Sequence, residues 1–391
     1  MKVTVLGAAG LQSKGVIRDL CTSPEVTEVV LADLEKTKEV LQQRSKDWGE
    51  NKTDIAFADV NNPENLKKAI HGSKICAHCI SHVFNLQVME ACFAENCHYT
   101  DLGGLFHYYR KQVEHHDKWR TKGLTAVLGM GSAPGITNVL ARYAADHLDT
   151  IESIHLRDGI ANYSISDFPL TVPYAVGTLL QEFNDNCYIF KNGDWVEVPA
   201  FSQEEIIHFT EPVGTMKVYA TIHSEVASVP VSFKPKGIRD MSFKLGLPPD
   251  FVQKMRFLAG IGFGSTKPLE IKGVKISAVE FFSALAQTFP KPTGKPADYK
   301  CLRADAKGTK NGLLTEIQTE VNCAPCEEWN MKTGPYSVGV PVGIICRMLG
   351  KGEITERGCM PAEICVPPDI FFKYLAERGM HSTIQIKTPV A

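Results

Sequence analysis

Gly7, Gly10 and Ser13 fall between an apolar run, Val3-Thr4-Val5-Leu6, and an amphipathic stretch with Val16, Ile17 and Leu20 at helical spacing. Strand, glycine turn and helix in that order let backbone amides at a helix start approach a pyrophosphate. The spacing is GxxGxxS rather than GxGxxG, and Ser13 is small enough to stand where the third glycine normally permits close helix–strand packing. Such a turn is weak evidence alone. A second apolar strand, Glu28 to Asp33, ends on an acid about twenty residues beyond the glycines, placed to accept hydrogen bonds from ribose hydroxyls. Asp33 also fits a helix N-cap, and the two roles are compatible. A carboxylate there repels a 2′-phosphate, so NAD is the expected cofactor, with NADP left open by Lys36 and Lys38.

The elements that must position these residues follow in alternation. Strands are predicted over 55–60, 75–81, 98–102 and 124–128, with helices between them. That order describes a doubly wound parallel sheet, an α/β fold of Rossmann type, which binds ligands outside the carboxyl ends of its strands. The expected cofactor contacts are therefore Gly7, Ala9, Gly10, Leu11, Gln12, Asp33, Asp59, Val60, Cys79, Ile80, Ser81 and Leu102. Hydride chemistry on an amine also needs a carboxylate that binds an ammonium and offsets developing positive charge. Asp101, at a predicted strand end, is the first choice; the alternative is a hydrogen bond to the Gly103-Gly104 backbone. His78, His98 and His155 are weaker candidates as bases.

After the sixth strand the chain reads Gly129-Met130-Gly131-Ser132-Ala133-Pro134-Gly135-Ile136-Thr137-Asn138, a sharp turn into a helix start. Gly135 and Ile136 there, together with Arg157, are expected to hold a substrate carboxylate. Arg157 fits an ordinary ion pair equally well. The Ala-Pro-Gly-Ile-Thr-Asn turn resembles that of the saccharopine reductase and lysine 6-dehydrogenase family, as do Arg157-Asp158-Gly159 and the segment Tyr188-Ile189-Phe190-Lys191-Asn192-Gly193-Asp194-Trp195. The resemblance implies a Rossmann domain with an inserted mixed-sheet α/β domain carrying substrate contacts and a homodimer surface. It also implies oxidation or reduction at a carbon–nitrogen bond of an amino acid, with Asn138, Asp158 and Tyr174 among the substrate contacts. Saccharopine-type reductases show an acid directly before the Pro-Gly of this turn. Ala133 stands there instead, which points toward the lysine-dehydrogenase branch. An imine-forming reductase and a catalytically silent dinucleotide sensor are the other readings.

The expected organisation is residues 1–132 for the dinucleotide domain, 133–334 for the inserted domain and 335–391 for a segment returning to the first. The chain has 391 residues and a formal net charge of -2, with no concentrated basic face, which argues against nucleic acid. No stretch approaches the ~20 apolar residues that span a bilayer. The first apolar run is too short for a signal peptide, and 12 cysteines without one suggest free thiols in a reducing cytoplasm. Cys76 and Cys79, three apart on a predicted strand, point to opposite faces, Cys323/Cys326 has no second ligand pair nearby, and no metal is expected.

Overall fold

A computed structural model describes residues 1–49, 51–164, 166, 168–172, 174, 176–290 and 294–389. The first half alternates as the apolar runs require: β1 (Lys2–Leu6), α1 (Ser13–Thr22), β2 (Glu28–Asp33), α2 (Lys38–Trp48), β3 (Thr53–Phe57), α3 (Pro63–Ile70), β4 (Ile75–His78), α4 (Asn85–Ala94), β5 (His98–Asp101), α5 (Leu105–Val113), α6 (His116–Thr121) and β6 (Thr125–Leu128). All six strands are parallel, and β4, β6 and most of β1 and β2 are buried, as strands covered by helices on both faces must be.

A helix, α7 (Thr137–Asp146), leads into β7 (Thr150–Asn162), α8 (Val176–Asn184), β8 (Cys187–Lys191), β9 (Asp194–Val198), β10 (Ser202–His208), β11 (Thr215–Ala220), α9 (Glu225–Ser232) and β12 (Asp240–Gly246). Then come α10 (Pro249–Gly260), β13 (Pro268–Ile271), β14 (Val274–Ser277), α11 (Ala278–Ala286), β15 (Asp298–Lys310) and β16 (Leu313–Cys323). The chain finishes with α12 (Thr333–Lys351), β17 (Gly358–Pro361), α13 (Ala362–Cys365), α14 (Pro368–Ala376) and β18 (Ser382–Lys387).

The first sheet has seven strands in the order β17-β6-β5-β4-β1-β2-β3, and the second is mixed, with the path β10-β11-β12-β7-β15-β16-β18. Only β7 and β12 run parallel in that path. Two expectations change here. The seventh strand of the dinucleotide sheet is Gly358–Pro361, too short and Cys/Met-rich to register as a strand by pattern. The last strand, expected to complete the first domain, instead pairs with β16 in the second sheet.

The return of the chain to the first domain rests on a close helix crossing. A Cβ on Gly15 of α1 would lie 2.4 Å from the Pro335 carbonyl, and one on Gly339 of α12 would lie 2.7 Å from the Gln12 carbonyl. Only glycine at both places lets the backbones meet, and this sets α12 against the glycine turn.

Candidate active site

The turn after β1 has the geometry a dinucleotide requires. Gly7 takes a φ of +84°, and a Cβ there would strike Ile80 at 2.5 Å and the Cys79 carbonyl at 3.0 Å. Gly10 is exposed and its amide turns back to the Gly7 carbonyl at 2.9 Å. The amides of Leu11 and Gln12 have no acceptor among the described residues, and they stand at the head of α1. A helix N-terminus with free amides binds phosphate oxygens. Asp33 shapes this cradle from β2: one carboxylate oxygen accepts the Ala9 amide at 2.8 Å and the other the Leu34 amide at 2.7 Å. Arg44, from α2, braces the loop from beneath by donating to the Ala8 carbonyl and to Ser13 Oγ. Ser81, Asp59 and Leu11 are exposed along the same rim, with Val60, Cys79, Ile80 and Leu102 half-buried. These residues fit a nicotinamide dinucleotide: the Gly7–Gln12 turn would hold its pyrophosphate and Asp33 its ribose hydroxyls.

Asp101 is not placed for substrate. It is wholly buried, and its two oxygens take five donors: the Gly103 amide at 2.9 Å, the Gly129 amide at 2.7 Å, Tyr99 Oη at 2.9 Å, Gln112 Nε2 at 2.6 Å and Asn85 Nδ2 at 3.3 Å. A carboxylate with its lone pairs so engaged ties the ends of β5 and β6 to α4 and α5, and has none to spare for an ammonium. The Gly103 hydrogen bond is the alternative the sequence offered. His78 belongs to the same network through Asn85 at 2.9 Å, and burial lowers its pKa to about 4, keeping it neutral.

The Gly135–Ile136 anion site is also corrected. The Gly135 amide donates to Asn138 Oδ1 at 2.9 Å and the Ile136 amide to the Gly131 carbonyl at 2.9 Å, so this helix start is closed on itself. Asn138 in turn donates to Glu363 Oε2 at 2.7 Å, which fastens α7 to α13.

Arg157 and Asp158, adjacent on β7, separate because successive side chains on a strand face opposite ways. Arg157 lies on the outer face and donates to Glu205 Oε2 at 2.8 Å, beside Lys244. His155 shares that face, bonded to Ser242 at 2.9 Å, and His98 accepts the Thr125 amide at 3.0 Å. Arg157→Ala, which breaks a buried ion pair on the face opposite Asp158, is expected to lower stability while changing kcat/KM by less than about threefold. A loss beyond about a hundredfold in a folded variant, measured by steady-state kinetics, would return Arg157 to the chemistry.

Asp158 points inward, where the second sheet meets the dinucleotide rim. It is 3% exposed and pairs with Lys300 Nζ of β15 at 3.1 Å, while its Oδ1 has no partner among the described residues. Lys300 also donates to Ser132 Oγ at 2.9 Å, in the turn that follows β6. The side chain thus bridges the end of the dinucleotide sheet and the inner face of the second one. Burial raises the Asp158 carboxyl above the usual range, and Lys300 only partly offsets this. Close by, His223 Nδ1 donates to Glu225 Oε2 at 2.6 Å, and Glu225 Oε1 accepts Thr137 Oγ1 at 2.9 Å. Burial alone would lower the His223 pKa, but Glu225, Glu182 and Asp158 outweigh it and raise it. Glu182 of α8 accepts a hydrogen bond from Tyr174, and burial pushes its pKa up to about 7. Asp158 and Tyr174 were expected from the sequence. Lys300, His223, Glu225 and Glu182 were not.

Among the described residues, no group of His, Cys, Asp and Glu could hold a metal ion, and no helix is long and apolar enough to cross a membrane.

The model of the saccharopine dehydrogenase NADP-binding domain matches residues 3–127, and that of the saccharopine dehydrogenase C-terminal domain matches residues 131–381. The chain is 24% identical over 395 residues to carboxyaminopropylagmatine dehydrogenase of Synechocystis, covering 97% of this chain and 96% of that one. It is 25% identical over 324 residues to carboxynorspermidine synthase of Vibrio alginolyticus, covering 78% and 76%. Among solved structures, apo saccharopine dehydrogenase (L-Glu forming) of Saccharomyces cerevisiae aligns with a TM-score of 0.75 at 16% identity, over 100% of both chains. Homospermidine synthase of Legionella pneumophila, solved in complex with NAD, aligns with a TM-score of 0.66 at 12% identity, over 99% and 91%. Both likenesses are of fold. Neither of these relatives is named a lysine dehydrogenase, so the preference for that branch drawn from Ala133 finds no support among them. With both domain models matched end to end along a Rossmann sheet and its inserted mixed sheet, the chain belongs to the saccharopine dehydrogenase family as an NAD(P)-dependent oxidoreductase.

Proposed function

We propose that this oxidoreductase joins a carboxylate-bearing aldehyde to a diamine-type amine by reducing the imine they form. The observation that carries the reading is Lys300, whose ammonium bonds both to Ser132 beside the dinucleotide rim and to Asp158 on the inner sheet face. An imine standing between that rim and that sheet meets a proton donor from the protein side. A dinucleotide held on that rim would supply the hydride for the imine carbon. Lys300 gives one proton to the imine nitrogen as that carbon is reduced, and Asp158 offsets the charge while the lysine regains its proton from water. In sum, aldehyde, amine, reduced cofactor and one proton give a secondary amine, water and oxidised cofactor. The reverse direction uses Lys300 as the base.

The relatives' names support the amine class. Oxidative cleavage of the secondary C–N bond of carboxynorspermidine or carboxyaminopropylagmatine leaves a carboxylate-bearing aldehyde and either a diamine or agmatine. The buried cluster agrees, since Asp158, Glu182 and Glu225 outnumber Lys300 and His223, and such a balance attracts cations. The test follows NADH and NADPH absorbance with 2-amino-4-oxobutanoate plus 1,3-diaminopropane or agmatine. Consumption is expected only when aldehyde and amine are both present. Reduction of NAD by lysine alone, with release of ammonia, would overturn the reading.

A further inference from the structure

Glu182 occupies a helix position that its surroundings do not explain. Its neighbours on α8 at the buried face are Val176, Leu179, Leu180 and Phe183, an apolar set that packs against α10 and α11. A glutamate in that row is 4% exposed and costs desolvation without a cation bonded to it. Its one hydrogen bond comes from Tyr174 to Oε2, and Oε1 accepts none among the described residues. Burial pushes its carboxyl up to about 7, well above the usual carboxylate range. The groups acting on it are His223, Tyr174, Asp158 and Lys300, which are the groups of the site itself. A carboxylate oxygen in the same cluster, Asp158 Oδ1, is buried and has no hydrogen-bond partner among the described residues. Asp158 already pairs with Lys300, so Glu182 is the carboxylate of this buried, acid-rich cluster with no cation bonded to it among the described residues.

We propose that Glu182, oriented by Tyr174, is the subsite that receives the distal cationic group of the amine substrate, the end that does not react. The inference rests on the imine-reductase reading and makes it more specific: the amine carries two basic groups, one condensing near Lys300 and the other bound at Glu182. Asp158 Oδ1 then accepts an N–H of the same chain. A monoamine would leave Glu182 unpaired and bind poorly, which makes this residue the one that selects a diamine or agmatine over a simple amine. Where Glu182 carries a proton, binding an ammonium releases that proton to water and forms a charge-assisted hydrogen bond in a dry setting, where such bonds are strongest.

The test compares the wild type with Glu182→Gln and Glu182→Asp, each saturated with NADP or NAD, whichever it binds. Calorimetric titration uses 1,3-diaminopropane, agmatine and propylamine, and steady-state kinetics supplies KM for the amine and for the aldehyde. In Glu182→Gln, the dibasic amines are expected to lose about tenfold or more in affinity and in KM. KM for the aldehyde and the affinity for propylamine should stay within about twofold, with part of the loss restored in Glu182→Asp. Equal binding of 1,3-diaminopropane by wild type and Glu182→Gln overturns the subsite, as does a wild type that binds none of the three amines. A wild type that binds dibasic amines through Glu182 yet reduces no imine leaves the subsite standing and removes the reductase reading, so the two failures are distinguishable.

Discussion

Replacing Lys300 by methionine is expected to cut turnover by about a hundredfold to ten-thousandfold, the range for loss of a positioned general acid. The affinity for NADH or NADPH should change by less than about threefold, because the cradle from Gly7 to Gln12 and Asp33 is formed without Lys300. Methionine matches the length of the side chain but carries no proton. Its removal also leaves Asp158 as an unpaired buried carboxylate, and breaking such a pair costs roughly 3 kcal/mol or more. A fall in melting temperature is therefore expected in Lys300→Met and must be separated from the loss of chemistry. Adding Asp158→Asn removes the stranded charge, so the double variant should recover most of the melting temperature and none of the turnover. Lys300→Arg gives the complementary control: it keeps a cation beside Asp158 but does not release its proton near neutral pH. It should fold, bind cofactor and remain slow. Wild-type turnover in Lys300→Arg would mean that charge, not proton transfer, is what this position supplies.

The sequence placed the dinucleotide half well because each of its requirements is local. A strand that reads as an unbroken apolar run, a glycine at positive φ and an acid closing the next strand are visible within thirty-three residues, and Gly7, Gly10 and Asp33 stand where that reading put them. The substrate half depends on which face of a long strand points inward. Arg157 and Asp158 are neighbours in sequence and opposites in space, and nothing in the motif says which one turns toward the cofactor. The register gives that answer in retrospect: Ile154, Leu156 and Asp158 share the inner face of β7, and Lys300 precedes Leu302, Ala304 and Ala306 on the inner face of β15. A charge set into an apolar period of two is the signal that finds Asp158 and Lys300 together. Glu182 carries the helical version of that signal, an acid within the apolar row of α8. His223 and Glu225 have no such mark, because His223 lies in the turn after β11 and Glu225 opens α9, where polar residues are expected in any case. Gly358–Pro361 was missed for another reason. Its four residues pair only with β6, and the strand exists because the dinucleotide sheet offers β6 an open edge.

Asp101→Asn is expected to lower stability by about 3–5 kcal/mol, since each buried donor left without an acceptor costs about 1–3 kcal/mol. The amide keeps one acceptor oxygen. Its NH2 group must then face either the Gly103 and Gly129 amides or the Tyr99, Gln112 and Asn85 donors, and in both orientations donors meet a donor. Tyr99 can turn its hydroxyl proton away, whereas the two backbone amides cannot move without shifting the ends of β5 and β6. The result should read as a melting temperature lower by roughly 10 °C, on the scale of about 2–4 °C per kcal/mol for folding units of this size. Cofactor affinity should fall together with stability, because Leu102 and Gly103 lie at the rim that Asp101 fixes. The outcome separates a structural carboxylate from a reacting one. A structural Asp101 gives a variant that melts early, with residual turnover at low temperature within about tenfold of wild type. A variant that melts with the wild type, binds cofactor normally and has lost its turnover would place Asp101 in the reaction beside Lys300. Its five protein donors argue for the first result, since an oxygen already saturated by the fold gains little from an incoming ammonium.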